Sequence, residues 1–128
     1  MTRRILIVDD ADEARGILAI ALQTLQDVRV EVAVSAEDAL SKLDGGTVDV
    51  VVTDFRMGGM SGLELLAALR ERGMWPRCGA VVISGETDPD LRRTALEQGA
   101  AAFFGKPFSA GEVRRSVISL LESSHEMP

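Results

Sequence analysis

The chain has 128 residues, with 46% hydrophobic and 27% charged side chains and a formal charge of −6. That size suits one domain around a single core, and the acidic balance argues against binding along a nucleic-acid backbone. A single cysteine, Cys78, and a single histidine, His125 in the tail "SSHEMP", exclude an intrachain disulfide and argue against a zinc site or a Cys/His catalytic pair. Taken in chain order, "ILIV" at 5–8 reads as a strand and ends in Asp9 and Asp10. It is too short for a signal peptide, no run approaches a membrane span, and the expected setting is the reducing cytoplasm. Next, "DEARGILAIALQTLQ" places apolar residues at 14, 17, 18, 21, 22 and 25, one stripe of a helix. "VRVEVAV" at 28–34 alternates Arg29 and Glu31 with valines, the pattern of an edge strand. Residues 36–44 return to helical spacing through Ala36, Ala39, Leu40 and Leu43.

The third strand, "VDVVV" at 48–52, leads to Asp54 and then to a loop holding Gly58, Gly59 and Gly62. Ser61-x-x-Glu64 is a capping box that opens a helix over 62–72. "AVVIS" at 80–84 is a fourth strand closed by Ser84, and Asp88-Pro89 marks the start of the next helix. "AAFF" at 101–104 is the fifth strand, followed by Lys106 and by a second capping box, Ser109-x-x-Glu112. Five β-α repeats imply right-handed crossovers and a parallel, doubly wound α/β domain. It is read as one domain over 1–128, with a core from about residue 4 to 121 and a frayed tail over 122–128. Strands 1, 3 and 4 are apolar on both parities, as central strands covered on both faces must be.

In open parallel sheets function gathers at the carboxyl ends of the strands, where strand order reverses. Asp9, Asp10, Asp54, Ser84 and Lys106 all stand at such ends. Singly, each could be a helix cap, a turn residue or a solvated charge. Jointly they form a site. Three crowded carboxylates need a counter-charge, and hard oxygen ligands with room for water suit Mg2+. A carboxylate flanked by that cation, a lysine and a hydroxyl is equipped to attack a phosphoryl group, giving an aspartyl phosphate.

These segments together resemble the response-regulator receiver domains of two-component signalling. "ILIVDD" matches the family's acidic pair, "VVVTDFRMGGMSG" its phosphoacceptor strand and loop, "VVISGE" its hydroxyl strand, and "FFGKPFSAGE" its Lys-Pro segment. The resemblance covers about residues 4 to 121. It implies a flavodoxin-like (βα)5 three-layer sandwich with parallel strand order 2-1-3-4-5. It further implies Asp54 as phosphoacceptor, and Mg2+ held by Asp9, Asp10, Asp54 and the backbone carbonyl of Arg56. Ser84 and Lys106 would contact phosphoryl oxygens, Ser84 and Phe103 would form the switch, and the Lys106-Pro107 peptide would be cis. In that switch, Phe103 would turn inward from an exposed rotamer and remodel the face of the fourth helix, fifth strand and fifth helix.

The chain departs from the family in three places. Gly58 stands where proline is usual, which predicts a more mobile acceptor loop. Phe103 stands where tyrosine is common, and the acidic residues of DNA-binding members' dimer face are not evident. The expected function is a phosphorylatable receiver, supplied by a histidine kinase or histidine phosphotransfer protein and read by a downstream protein. The domain is expected to be no enzyme in its purpose, catalysing its own phosphotransfer and autodephosphorylation without small-molecule turnover. No direct nucleic-acid binding or membrane contact is expected, and the expected state is a monomer or weak dimer. Rival readings are a receiver fragment of a hybrid kinase or transcription regulator, an aspartate-nucleophile phosphatase, and a pseudo-receiver that only binds. Arg56 and Glu86 are expected to rim the pocket, pair across its mouth and slow loss of the phosphoryl group.

Overall fold

The computed structural model describes residues 2–43, 46–85 and 89–126. Strands and helices alternate along the chain: β1 (Arg3–Val8), α1 (Asp12–Gln23), β2 (Val28–Ala33), α2 (Ala36–Lys42), β3 (Val50–Asp54), α3 (Gly62–Glu71), β4 (Gly79–Ser84), α4 (Pro89–Glu97), β5 (Ala102–Gly105) and α5 (Ala110–Glu126). The five strands are parallel, in the order β2-β1-β3-β4-β5. All residues of β3 and β4 are buried, the polar Thr53, Asp54 and Ser84 at their ends included, as befits central strands covered on both faces. Strand β2 lies at one edge, where Glu31 pairs with Arg4 at 2.9 Å.

Two apolar layers cover the sheet. On one face Leu6, Val8, Val51 and Val82 pack with residues of α2 and α3, Ala95 of α4 and Phe103. On the other, Ile5, Ile7, Val50, Val52, Val81 and Ile83 pack with Leu18 and Leu22 of α1 and Val113 and Val117 of α5. The adjacent residues Phe103 and Phe104 therefore serve opposite layers, as strand alternation dictates. Helix α4 is the lightly held one: among its residues only Ala95 is buried.

Several boundaries differ from the sequence reading, for a common reason. Backbone pairing does not need apolar side chains, so β1 begins at Arg3, opposite Val28. The β3 ladder starts at Val50, opposite Ile5; Asp49 before it is buried and its carboxylate accepts the Arg4 N–H at 2.7 Å. Helix α5 continues to Glu126, past its last apolar contact at Leu121, where a frayed tail is expected from the sequence. The Ser61–Glu64 capping box is present in full, and Ser109 Oγ accepts from the Glu112 N–H at 3.2 Å. Asp88 lies outside the described residues. One corner links α3 to the end of α4: the Arg70 guanidinium lies 4.2 Å from the centroid of the Trp75 ring and donates to the Gln98 carbonyl at 2.8 Å. Among the described residues no helix is long and apolar enough to cross a membrane.

Candidate functional site

Strand register brings the predicted residues together. Val8 stands opposite Thr53, so Asp9 and Asp54 leave their strands side by side. Asp54 stands opposite Ile83, and Ser84 opposite Gly105, which puts Ser84 and Lys106 on the same rim. The ends of these ladders are closed by Phe55 N–H to the Ile83 carbonyl and Lys106 N–H to the Ser84 carbonyl, both at 2.8 Å. The site thus follows from chain topology: strand order reverses at β1, and the two strands there deliver acidic residues into one crevice.

Carboxylate oxygens of Asp9, Asp10 and Asp54 all lie within 4.8 Å of one another. Asp9 and Asp54 are buried, whereas Asp10 is exposed. Lys106 Nζ sits 3.1 Å from Asp54 Oδ1 and 3.9 Å from Asp9 Oδ2. One lysine does not balance three carboxylates. Burial first, then the charge of Asp9, push the Asp54 carboxyl above the usual carboxylate range, against the opposing pull of Lys106. Asp9 also does the local work that a strand-end aspartate can do, since its Oδ1 accepts the Ala11 N–H at 2.9 Å. Asp12 pairs with Arg15, and Arg15 also donates to the Asp9 carbonyl at 2.9 Å. Three hard oxygen donors converging on one point, with one face open through Asp10, fit a small divalent cation that keeps some of its water.

Ser84 is buried at the carboxyl end of β4. Arg56 is exposed, with its guanidinium 5.7 Å from the centroid of the Phe55 ring. Glu86 falls outside the described residues, so the expected Arg56–Glu86 pair does too. The Lys106–Pro107 peptide is cis. Phe103 departs from expectation: the residue is only 8% exposed and packs into the apolar layer rather than standing outward. A phenyl ring has no hydroxyl to hydrate, so burial is its favoured state where a tyrosine could keep its polar tip in water.

Two contacts had no signal in the sequence. Arg92 of α4 donates to the Phe103 carbonyl at 3.3 Å, on the open edge of the sheet, and its guanidinium lies 6.0 Å from the same ring. Glu37 of α2 accepts from the Met60 N–H at 3.3 Å. Both join segments whose approach depends on how helices settle on the sheet, which no local pattern encodes.

Comparison with known proteins gives a consistent result. The family model described as "Response regulator receiver domain" matches residues 5–118. The chain is 34% identical over 122 residues to the cyclic di-GMP phosphodiesterase response regulator RpfG of Xanthomonas campestris pv. campestris (strain 8004), covering 92% of this chain. It spans 32% of that relative's length. Among solved structures, it resembles the signal receiver domain of an HD domain-containing protein from Pseudomonas fluorescens Pf-5, with TM-score 0.86 and 25% identity, covering 99% of this chain and 100% of that one. It also resembles FixJ-N, with TM-score 0.82 and 30% identity, covering 100% of this chain and 98% of that one.

Proposed function

The chain belongs to the response regulator receiver family, and on that premise we propose that it accepts a phosphoryl group on Asp54 in a two-component relay. The observation that carries this reading is the contact of Lys106 Nζ with Asp54 Oδ1 at 3.1 Å, inside a crevice shared with Asp9 and Asp10. In the proposed reaction the Asp54 carboxylate attacks the phosphorus of a phosphohistidine on a histidine kinase or histidine phosphotransfer protein. A P–O bond forms, the P–N bond breaks, and its electron pair stays on the imidazole nitrogen. Lys106 and the Ser84 hydroxyl supply positive charge and a donor to the transferring oxygens. Mg2+, held by Asp9, Asp10, Asp54 and the Arg56 carbonyl, would offset the carboxylate charge and orient the phosphoryl group.

The acyl phosphate carries about −1.5 to −2 charges beside Ser84 and Lys106 in place of the single charge of the carboxylate, and it brings new acceptor oxygens. With Phe103 already packed inward, α4 is the element free to respond, because it buries so little of itself. A downstream protein would read the face formed by α4, β5 and α5. The test is intact-mass analysis after incubation with acetyl phosphate and Mg2+. Wild type is expected to gain one acid-labile phosphoryl group, and Lys106→Ala to gain it more slowly, by on the order of tenfold or more. Equal rates in the two proteins would remove Lys106 from the mechanism, and an unlabelled wild type would end the phosphoacceptor reading.

A further inference from the structure

The segment after Asp54 is anchored at its two ends. Met57 is buried, and Met60 packs against the same apolar layer. Between them stand Gly58 and Gly59, which have no side chain to hold the loop and which give it wide conformational freedom. Glu37 reaches that gap from α2. Its Oε2 accepts from the Met60 N–H at 3.3 Å, and a Cβ placed on Gly59 would lie 2.9 Å from the same oxygen. The first turn of α2 is itself fixed: Ser35 Oγ accepts from the Asp38 N–H at 2.9 Å, Asp38 accepts from the Val34 N–H at 3.1 Å, and Lys42 pairs with Asp38 at 3.3 Å. Glu37 therefore projects from a rigid base.

We infer that Glu37 is a positioning residue for the acceptor loop, holding 58–60 so that the Arg56 carbonyl stays in a metal-competent place. This rests on the receiver reading of the site. Glu37 is not among the converging carboxylates; it acts through the backbone of the loop. A loop that is competent only part of the time weakens metal binding by the fraction of time it is competent. Glu37 raises that fraction by giving the double-glycine segment the tether that its own residues lack.

The experiment titrates Mg2+ alone into the full chain by calorimetry, with amide hydrogen exchange at Met60 as a second readout. Asp54→Asn is the control for the site itself. Glu37→Ala is expected to bind Mg2+ about three- to tenfold more weakly, with faster exchange at Met60 and an unchanged melting temperature. Glu37→Gln keeps an acceptor oxygen but no charge, and is expected to stay within about twofold of wild type. If Glu37→Gln is as weak as Glu37→Ala, charge rather than the tether is responsible and the inference falls. It also falls if Glu37→Ala binds Mg2+ as wild type does, whatever its exchange. A wild type that takes up no Mg2+ overturns the receiver-site reading itself, a separate and distinguishable result.

Discussion

Asp54→Asn is expected to abolish phosphoryl labelling and, in metal-free protein at neutral pH, to melt higher than wild type. Burial and the neighbouring Asp9 raise the Asp54 pKa in the folded state. The folded protein then binds a proton there more readily than the unfolded chain does. The ionised carboxylate accordingly destabilises the fold in full above the raised pKa, and that penalty is relieved as pH falls through it. The advantage of the asparagine variant should be widest near neutral pH and shrink on acidification. For a domain of this size each 1 kcal/mol relieved raises Tm by roughly 4 °C. On the proposed function Mg2+ should invert the ranking, since a cation that bound only the folded wild type would stabilise it by mass action. Calorimetric melts across a pH series, with chelator and with Mg2+, check each part. A variant that melts lower at neutral pH and still gains from Mg2+ would mean that the acidic crevice is not where repulsion is stored.

Gly62→Ala is expected to lower Tm by roughly 12 °C, the equivalent of about 3 kcal/mol at this chain length, and to cut phosphorylation with it. A Cβ at Gly62 would stand 2.3 Å from the carbonyl oxygen of Asp54 and 3.2 Å from the Phe55 Cα. Those are backbone atoms, so relief requires moving the end of β3 or the start of α3. Moving either strains the Gly62 N–H bond to the Phe55 carbonyl at 2.7 Å and shifts the carboxylate itself. Gly58→Ala is the contrast. Nothing lies within 4 Å of its would-be Cβ, so the substitution should be neutral or stabilise by about 0.4–1 kcal/mol through the unfolded chain. If the two variants melt alike, close approach is not what Gly62 supplies.

These two glycines also mark where the sequence stops being readable. Periodicity locates all five strands, and apolar runs covering both parities identify β3 and β4 as central. The polar residues at strand ends identify the crevice, because parallel topology turns sequence positions into neighbours. What the three loop glycines do is another matter. Read as a group they suggest pliability, but Gly62 is a close-approach residue and the φ of +82° at Gly59 is a turn requirement. Both facts depend on backbone in three dimensions. The inward ring of Phe103 depends likewise on how much room α4 leaves. Glu37 meets Met60 across 23 positions, a pairing set by the seat of α2 on the sheet.

The Arg70–Trp75 stack has a spectroscopic consequence. Trp75 is the only tryptophan and the chain has no tyrosine, so near-ultraviolet emission arises from one ring. That ring lies beneath a guanidinium which also holds the Gln98 carbonyl beyond the end of α4. The fluorophore is therefore wired to the helix rather than to the carboxylates. Mg2+ entering the crevice without disturbing α4 would leave the emission spectrum dark to the event, whereas release of Arg70 would change both quenching and polarity around the indole. A colour shift on phosphorylation would thus register movement of α4 in an unlabelled protein, and a stopped-flow trace of it would time the helix separately from the chemistry.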